Sequence, residues 1–181
     1  MNKIDVQYLK DWFGDLWNII VDLNISNNNV KRYFDAKYKN ERILLNNGFL
    51  QHHLYQLKFI MIVQLAKLIT DKSNQRRNFF KLCNILENSK YQNDLKEKLI
   101  KNNEPNWTVK EARKEILVTV KSIRKDLQEH QEIINKISVS RDQIYAHKDP
   151  KPDAIGISFE ELDKAVNLCS SFYKLLHDPI F

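Results

Sequence analysis

The sequence predicts an all-α fold: a helical bundle of about five to seven helices, with one long helix in its C-terminal half. Three observations carry this expectation. Apolar residues recur at steps of three and four through most of the chain, which is the spacing of one helix face. Turn formers are scarce, with three Gly and four Pro in 181 residues, far fewer than the turns of a β-sandwich or barrel require. Two capping boxes, Thr108 with Glu111 and Ser158 with Glu161, stand directly before apolar-periodic stretches.

The length is that of one domain, residues 1–181. Residues 3–23 read as an amphipathic helix through Leu9, Trp12, Phe13, Leu16, Ile19, Ile20 and Leu23. Ser26 and Asn27 to Asn29 read as a break that re-caps a second helix over 30–45. Trp12 and Trp17 suit a core or a dimer interface better than ligand stacking. Asn46-Asn47-Gly48 marks another break. The strongest apolar helix follows, over about 49–70, with Leu57, Met61, Leu65, Leu68 and others covering more than one face. Such a helix is expected at the centre of a bundle. His52 and His53 on it point about 100° apart and do not form a metal pair.

Asp71 and Ser73 are candidate caps for a helix over about 75–87. Residues 88–107, rich in Asn, Lys and Glu, read as a surface excursion. From Thr108 a long helix carries a narrow seam: Ile116, Val120, Ile123, Leu127, His130, Ile134, Ile137, Arg141, Ile144. Steps of four and three suit packing against another helix, in the same chain or in a second copy. A charge in phase with this seam, Arg141, demands a partner, and an anionic substrate or Asp142 of a second chain would supply one. After the prolines at 150 and 152, Phe159, Leu162, Val166, Phe172 and Leu176 define the last helix. The long helix and the last helix are expected to form the centre of the bundle.

The net charge is +6, and it is unevenly spread. Between Lys72 and Lys125 there are fourteen Lys or Arg and six Asp or Glu, a local excess of +8. That balance suits a polyanion such as RNA, and equally a solvated lysine-rich surface. The two cysteines, Cys83 and Cys169, form neither a metal pattern nor a disulfide framework and read as core thiols. The most apolar run, Leu54 to Ile69, is interrupted by Gln56, Lys58, Gln64 and Lys67, so no membrane association is expected. With charge at Lys3 and Asp5 there is no secretory pattern, and a cytoplasmic location is expected.

The densest chemistry lies at Arg141-Asp142-Gln143-Ile144-Tyr145-Ala146-His147-Lys148-Asp149-Pro150. A guanidinium, a carboxylate, a phenol, an imidazole and an ammonium fall within eight residues, and Asp149-Pro150-Lys151-Pro152 then stops the helix. As a plain helix end, Arg141 and Asp142 are a solvated pair and His147 a partner of the helix dipole. As a site, the same set suits a phosphate-bearing polyanion. Arg141 holds a phosphate bidentately, and His147 moves protons near neutral pH. Tyr145, one turn beyond Arg141, stacks on a base or donates to phosphate, and Lys148 contacts the backbone.

This stretch resembles the HEPN superfamily (higher eukaryotes and prokaryotes nucleotide-binding domains). That superfamily is marked by an Arg, a polar residue directly after it, and a His a few residues beyond. Arg141, Asp142 and His147 match those positions. The wording Tyr145-Ala146-His147-Lys148-Asp149, together with Leu65-Ala66-Lys67-Leu68-Ile69-Thr70-Asp71, is similar to the abortive-infection branch. The resemblance implies a HEPN-like bundle and a metal-independent endoribonuclease without cofactor, acting as a toxin or phage-defence effector. It implies a homodimer whose two Arg-His motifs form one composite cleft, with Arg141, Asp142 and His147 as catalytic residues. RNA is then the substrate, and an antitoxin protein is a further partner the resemblance allows. HEPN toxins silenced by a nucleotidyltransferase carry a Tyr two residues after the His, where this chain has Asp149. On an unbroken helix Arg141 and His147 lie about 120° out of phase, so convergence between two chains is the simpler geometry. The alternative is a non-catalytic HEPN-like module that binds RNA or a partner protein, or a scaffold that senses phage components.

Overall fold

A computed structural model describes residues 6–34, 46–70, 77–88, 109–146 and 156–180. Among them are six helices: α1 (Val6–Phe34), α2 (Gly48–Ile69), α3 (Phe79–Glu87), α4 (Val109–Glu129), α5 (Gln131–Ala146) and α6 (Phe159–Ile180). The fold is all-α, as the periodicity predicts. One contiguous apolar core draws on every helix, from Leu9 and Trp12 in α1 to Phe172 and Leu176 in α6.

The predicted break at Ser26 to Asn29 does not occur. α1 runs unbroken for 29 residues, and Ser26 and Asn27 are buried within it. Asparagines disfavour helix interiors because their side chains compete for local backbone groups. Here Asn27 has a distant partner, and Asn24, which also donates to the Ile20 carbonyl at 2.8 Å, has a second, distant one. Asn27 Nδ2 donates to Asp163 Oδ1 at 2.6 Å, and Asn24 Nδ2 donates to Ser170 Oγ at 3.1 Å. Lys31 adds an ion pair to Asp163 at 2.6 Å. The polar stripe therefore fastens α1 to α6. Of the predicted second helix, only 30–34 are described, as the end of α1.

α2 starts where Asn46-Asn47-Gly48 suggests a break. Asn47 is its N-cap and accepts from the Phe49 N–H at 2.9 Å, which satisfies one of the orphan donors of the first turn. Leu57, Met61, Ile62, Leu65, Ala66, Leu68 and Ile69 are buried. α2 packs against α1, α3, α5 and α6, so its central place is as expected. α3 is capped by Asn78, whose side chain accepts from the Lys81 N–H at 2.8 Å. The proposed caps Asp71 and Ser73, like Thr108 and most of 88–107, lie outside the described residues.

The long helix is interrupted at His130, which separates α4 from α5. The Asp126 carbonyl accepts the His130 backbone N–H at 3.0 Å, and the imidazole Nδ1 lies 2.8 Å from the same oxygen. A side chain competing for an i−4 carbonyl is a recognised cause of helix interruption. The seam itself is buried as predicted, at Ile116, Val120, Ile123, Leu127, Ile134 and Ile137. Its partners lie in the same chain: α4 packs on α3 and α6, and α5 packs on α2 and α6.

Candidate functional site

α5 sets the position of Arg141. Ile134 and Ile137 face the core, 3% and 0% exposed, and Arg141 follows Ile137 by four residues, on the same face. Its side chain is 14% exposed, so the aliphatic stem lies along the edge of the core while the guanidinium reaches the rim. A charge placed this deep requires an opposite charge or hydrogen-bond acceptors. Within the chain the adjacent residue supplies it: Nε and Nη2 of Arg141 donate to Asp142 Oδ1 at 3.1 and 2.7 Å. Asp142 itself is half-exposed. Both bonds use the Nε/Nη2 edge of the guanidinium and converge on one oxygen. The Nη1/Nη2 edge is the second forked face of the same group, and its geometry matches two phosphate oxygens.

Tyr145 belongs to the last turn of α5. His147 and Lys148 lie outside the described residues. The structure thus joins Arg141 to Asp142 and leaves their relation to Tyr145, His147 and Lys148 as an expectation. Among the described residues no group of three His, Cys, Asp or Glu side chains is arranged to hold a metal ion. The histidines described elsewhere have packing roles: His53 meets Tyr33 edge-on at 6.0 Å, and His177 stacks on Tyr173 at 5.2 Å.

α5 is locked in place by a clamp that the sequence only half announces. Ser158 and Glu161 form the expected capping box: the Ser158 N–H donates to Glu161 at 2.8 Å, and the Glu161 N–H donates to Ser158 Oγ at 3.1 Å. The same carboxylate accepts from Lys136 of α5 at 2.6 Å, and Lys136 is also 3.1 Å from Glu132. The Lys136 hydrogen bond, followed by the Ser158 backbone, holds Glu161 below the usual glutamate range. The Lys136 ammonium is correspondingly held above the usual lysine range, first by Glu161 and then by Glu132. Beside this clamp runs a groove of about 310 Å³ lined by Glu132, Lys136, Asn135, Val139, Ser140, Gln143 and Gly156. None of these was a sequence candidate, because scattered neutral and charged residues along a helix carry no motif.

An all-α bundle with an arginine and an adjacent acid closing a core-facing helix is the arrangement of a HEPN domain. The chain belongs to the AbiU2 family of these domains, in the abortive-infection branch of the superfamily, and the family model matches residues 7–181. No curated protein and no solved structure matches the chain.

Proposed function

We propose that this HEPN domain is a metal-independent endoribonuclease that acts as an abortive-infection effector, with a composite site at a homodimer interface. The observation that carries the reading is the held guanidinium of Arg141: Asp142 fixes one edge at 2.7 and 3.1 Å, which orients the other toward an incoming phosphate. In the proposed reaction the RNA 2′-hydroxyl attacks the adjacent phosphorus. The bond to the 5′-oxygen breaks, and a 2′,3′-cyclic phosphate forms. His147 of one protomer takes the 2′-hydroxyl proton, and its counterpart in the second protomer protonates the leaving oxygen. Arg141 stabilises the charge that builds on the non-bridging oxygens. Asp142 is a positioning residue that acts through Arg141. Tyr145 and Lys148 are assigned to base stacking and backbone contact. An isologous dimer brings the two motifs together about a two-fold axis.

The test is cleavage of a mixed RNA pool in EDTA by the wild-type protein, His147→Ala and Arg141→Ala, with the oligomeric state of each measured. The expected result is an EDTA-resistant activity, lost in both variants while the dimer persists. Equal cleavage by all three proteins, or activity from a strict monomer, rules the composite site out. No cleavage by any of them, with RNA binding lost in Arg141→Ala, supports the non-catalytic module instead.

A further inference from the structure

Part of the basic excess of the central sequence lies on α4. Lys110, Lys114, Lys121 and Lys125 are all exposed. At 100° per residue they fall within an arc of about 60°, and at 1.5 Å rise they span about 22 Å. The buried seam residues Ile116, Val120, Ile123 and Leu127 centre about 140° away, so the lysines point straight out from the bundle. Val118, 59% exposed, lies within reach of the same arc. The acids of α4 stand to one side: Glu111, Glu115 and Glu129 lie about 100° to 140° round from Lys110. Lys125 is ion-paired to Glu129 at 3.5 Å, and, after the Arg124 hydrogen bond, the charge of Lys121 is close enough to Glu87 of α3 to help hold that carboxylate low.

Two features separate this row from an ordinary solvated face. α1 and α6 also expose both signs, Asp11, Asp15 and Asp22 with Lys10 and Glu160 with Lys164 and Lys174, but on neither do four lysines share one arc. Lys110 with Lys114, and Lys121 with Lys125, are also like-charged i,i+4 pairs. Such pairs slightly destabilise a helix.

We propose that this lysine face of α4 tracks the sugar-phosphate backbone of RNA, outside the Arg141 motif and independently of cleavage. It rests on the reading that RNA is the ligand and not on catalytic turnover. Lysine suits the task because it meets phosphates as a point charge with no base selectivity. The surface is therefore expected to add affinity without sequence preference, and to bind in a salt-dependent way through counterion release.

The experiment measures binding of a short 2′-O-methylated single-stranded RNA, which cannot be cleaved through its 2′-oxygens, between 50 and 200 mM salt. Three proteins are compared: wild type; K110Q/K114Q/K121Q/K125Q; and a charge-matched control, K10Q/K67Q/K164Q/K174Q. Each lost phosphate contact lowers the slope of log K against log salt by about 0.7. The ridge variant should lose roughly 2 to 3 units of slope and bind at least about tenfold more weakly at 50 mM salt, while the control stays within about twofold of wild type. Lysine-to-arginine replacement at the four ridge positions should restore binding. Equal weakening in both variants would reveal a diffuse charge effect and overturn the assignment. So would no change in the ridge variant, or a wild-type protein that prefers an acidic polypeptide to RNA. A protein that binds at the ridge but cleaves no RNA removes the nuclease reading and leaves this one standing.

Discussion

At the residue scale, the decisive contacts join neighbours that sequence spacing cannot orient. Arg141 and Asp142 were both singled out by the sequence. Their pairing was legible as that of adjacent opposite charges at a helix end; that both bonds use the Nε/Nη2 edge was not, because the choice depends on side-chain rotamers at the rim of α5. If Asp142 orients the guanidinium, Asp142→Asn should lower kcat by about tenfold, a loss of roughly 1.4 kcal/mol, with little change in KM, and Asp142→Glu should recover part of it. A fall in KM-dependent terms alone would make Asp142 a surface acid with no positioning role. Gly14 offers a simpler case. It sits exposed in the interior of α1, and a Cβ added there meets nothing within 4 Å. Gly14→Ala should therefore stabilise the fold by about 0.5 to 1 kcal/mol, read as a higher denaturation midpoint.

At the element scale, helix existence was legible and helix continuity was not. Apolar spacing located all six helices, because burial of one face leaves a periodic trace. The errors at Ser26 to Asn29 and at His130 share a cause. Local propensity speaks for a break wherever Asn clusters, yet Asn27 is held by Asp163, 136 residues away. Conversely, the seam spacing runs straight through His130, where a side-chain bond to the Asp126 carbonyl interrupts the helix. The clamps between elements also set the response to acid. Glu161 is held low by Lys136, and Glu87 by its hydrogen bond with Arg124. Asp163, despite a desolvation penalty in the opposite sense, is held low by Lys31 and Asn27. A carboxylate with a depressed folded-state pKa contributes stability above its unfolded pKa, and that contribution is lost as pH falls through the folded one. Stability should thus decline below the ordinary glutamate value of 4.5. Glu161→Gln should flatten that decline in denaturation curves taken at successive pH values. An unchanged acid limb in Glu161→Gln would mean that the Lys136 clamp is too solvated to matter.

At the scale of the whole molecule, the fold was legible because a bundle needs only that each apolar face find another, whereas the site depends on pairings between and beyond helices. The core shows how closely the elements depend on one another. Phe79 of α3 meets Phe172 of α6 edge-on at 5.5 Å, and both are fully buried. α6 in turn packs against α1, α2, α4 and α5. A defect at this contact should therefore not stay local. Phe172→Ala removes about 3 to 5 kcal/mol, a large part of the 5 to 15 kcal/mol that holds a typical domain, so the milder Phe172→Leu is the better probe. In a Trp17→Phe, Trp107→Phe background the emission of Trp12, buried in α1, reports on a helix that neither Phe79 nor Phe172 belongs to. If the described helices share one cooperative core, Phe172→Leu shifts the Trp12 transition and the helical circular-dichroism transition to the same new midpoint. Separate midpoints would show that α3 and α4 unfold apart from α1 and α2. The lysine face of α4 and the Arg141 motif of α5 would then sit on parts of the chain with different stabilities, and α4 could release RNA while α5 stayed folded.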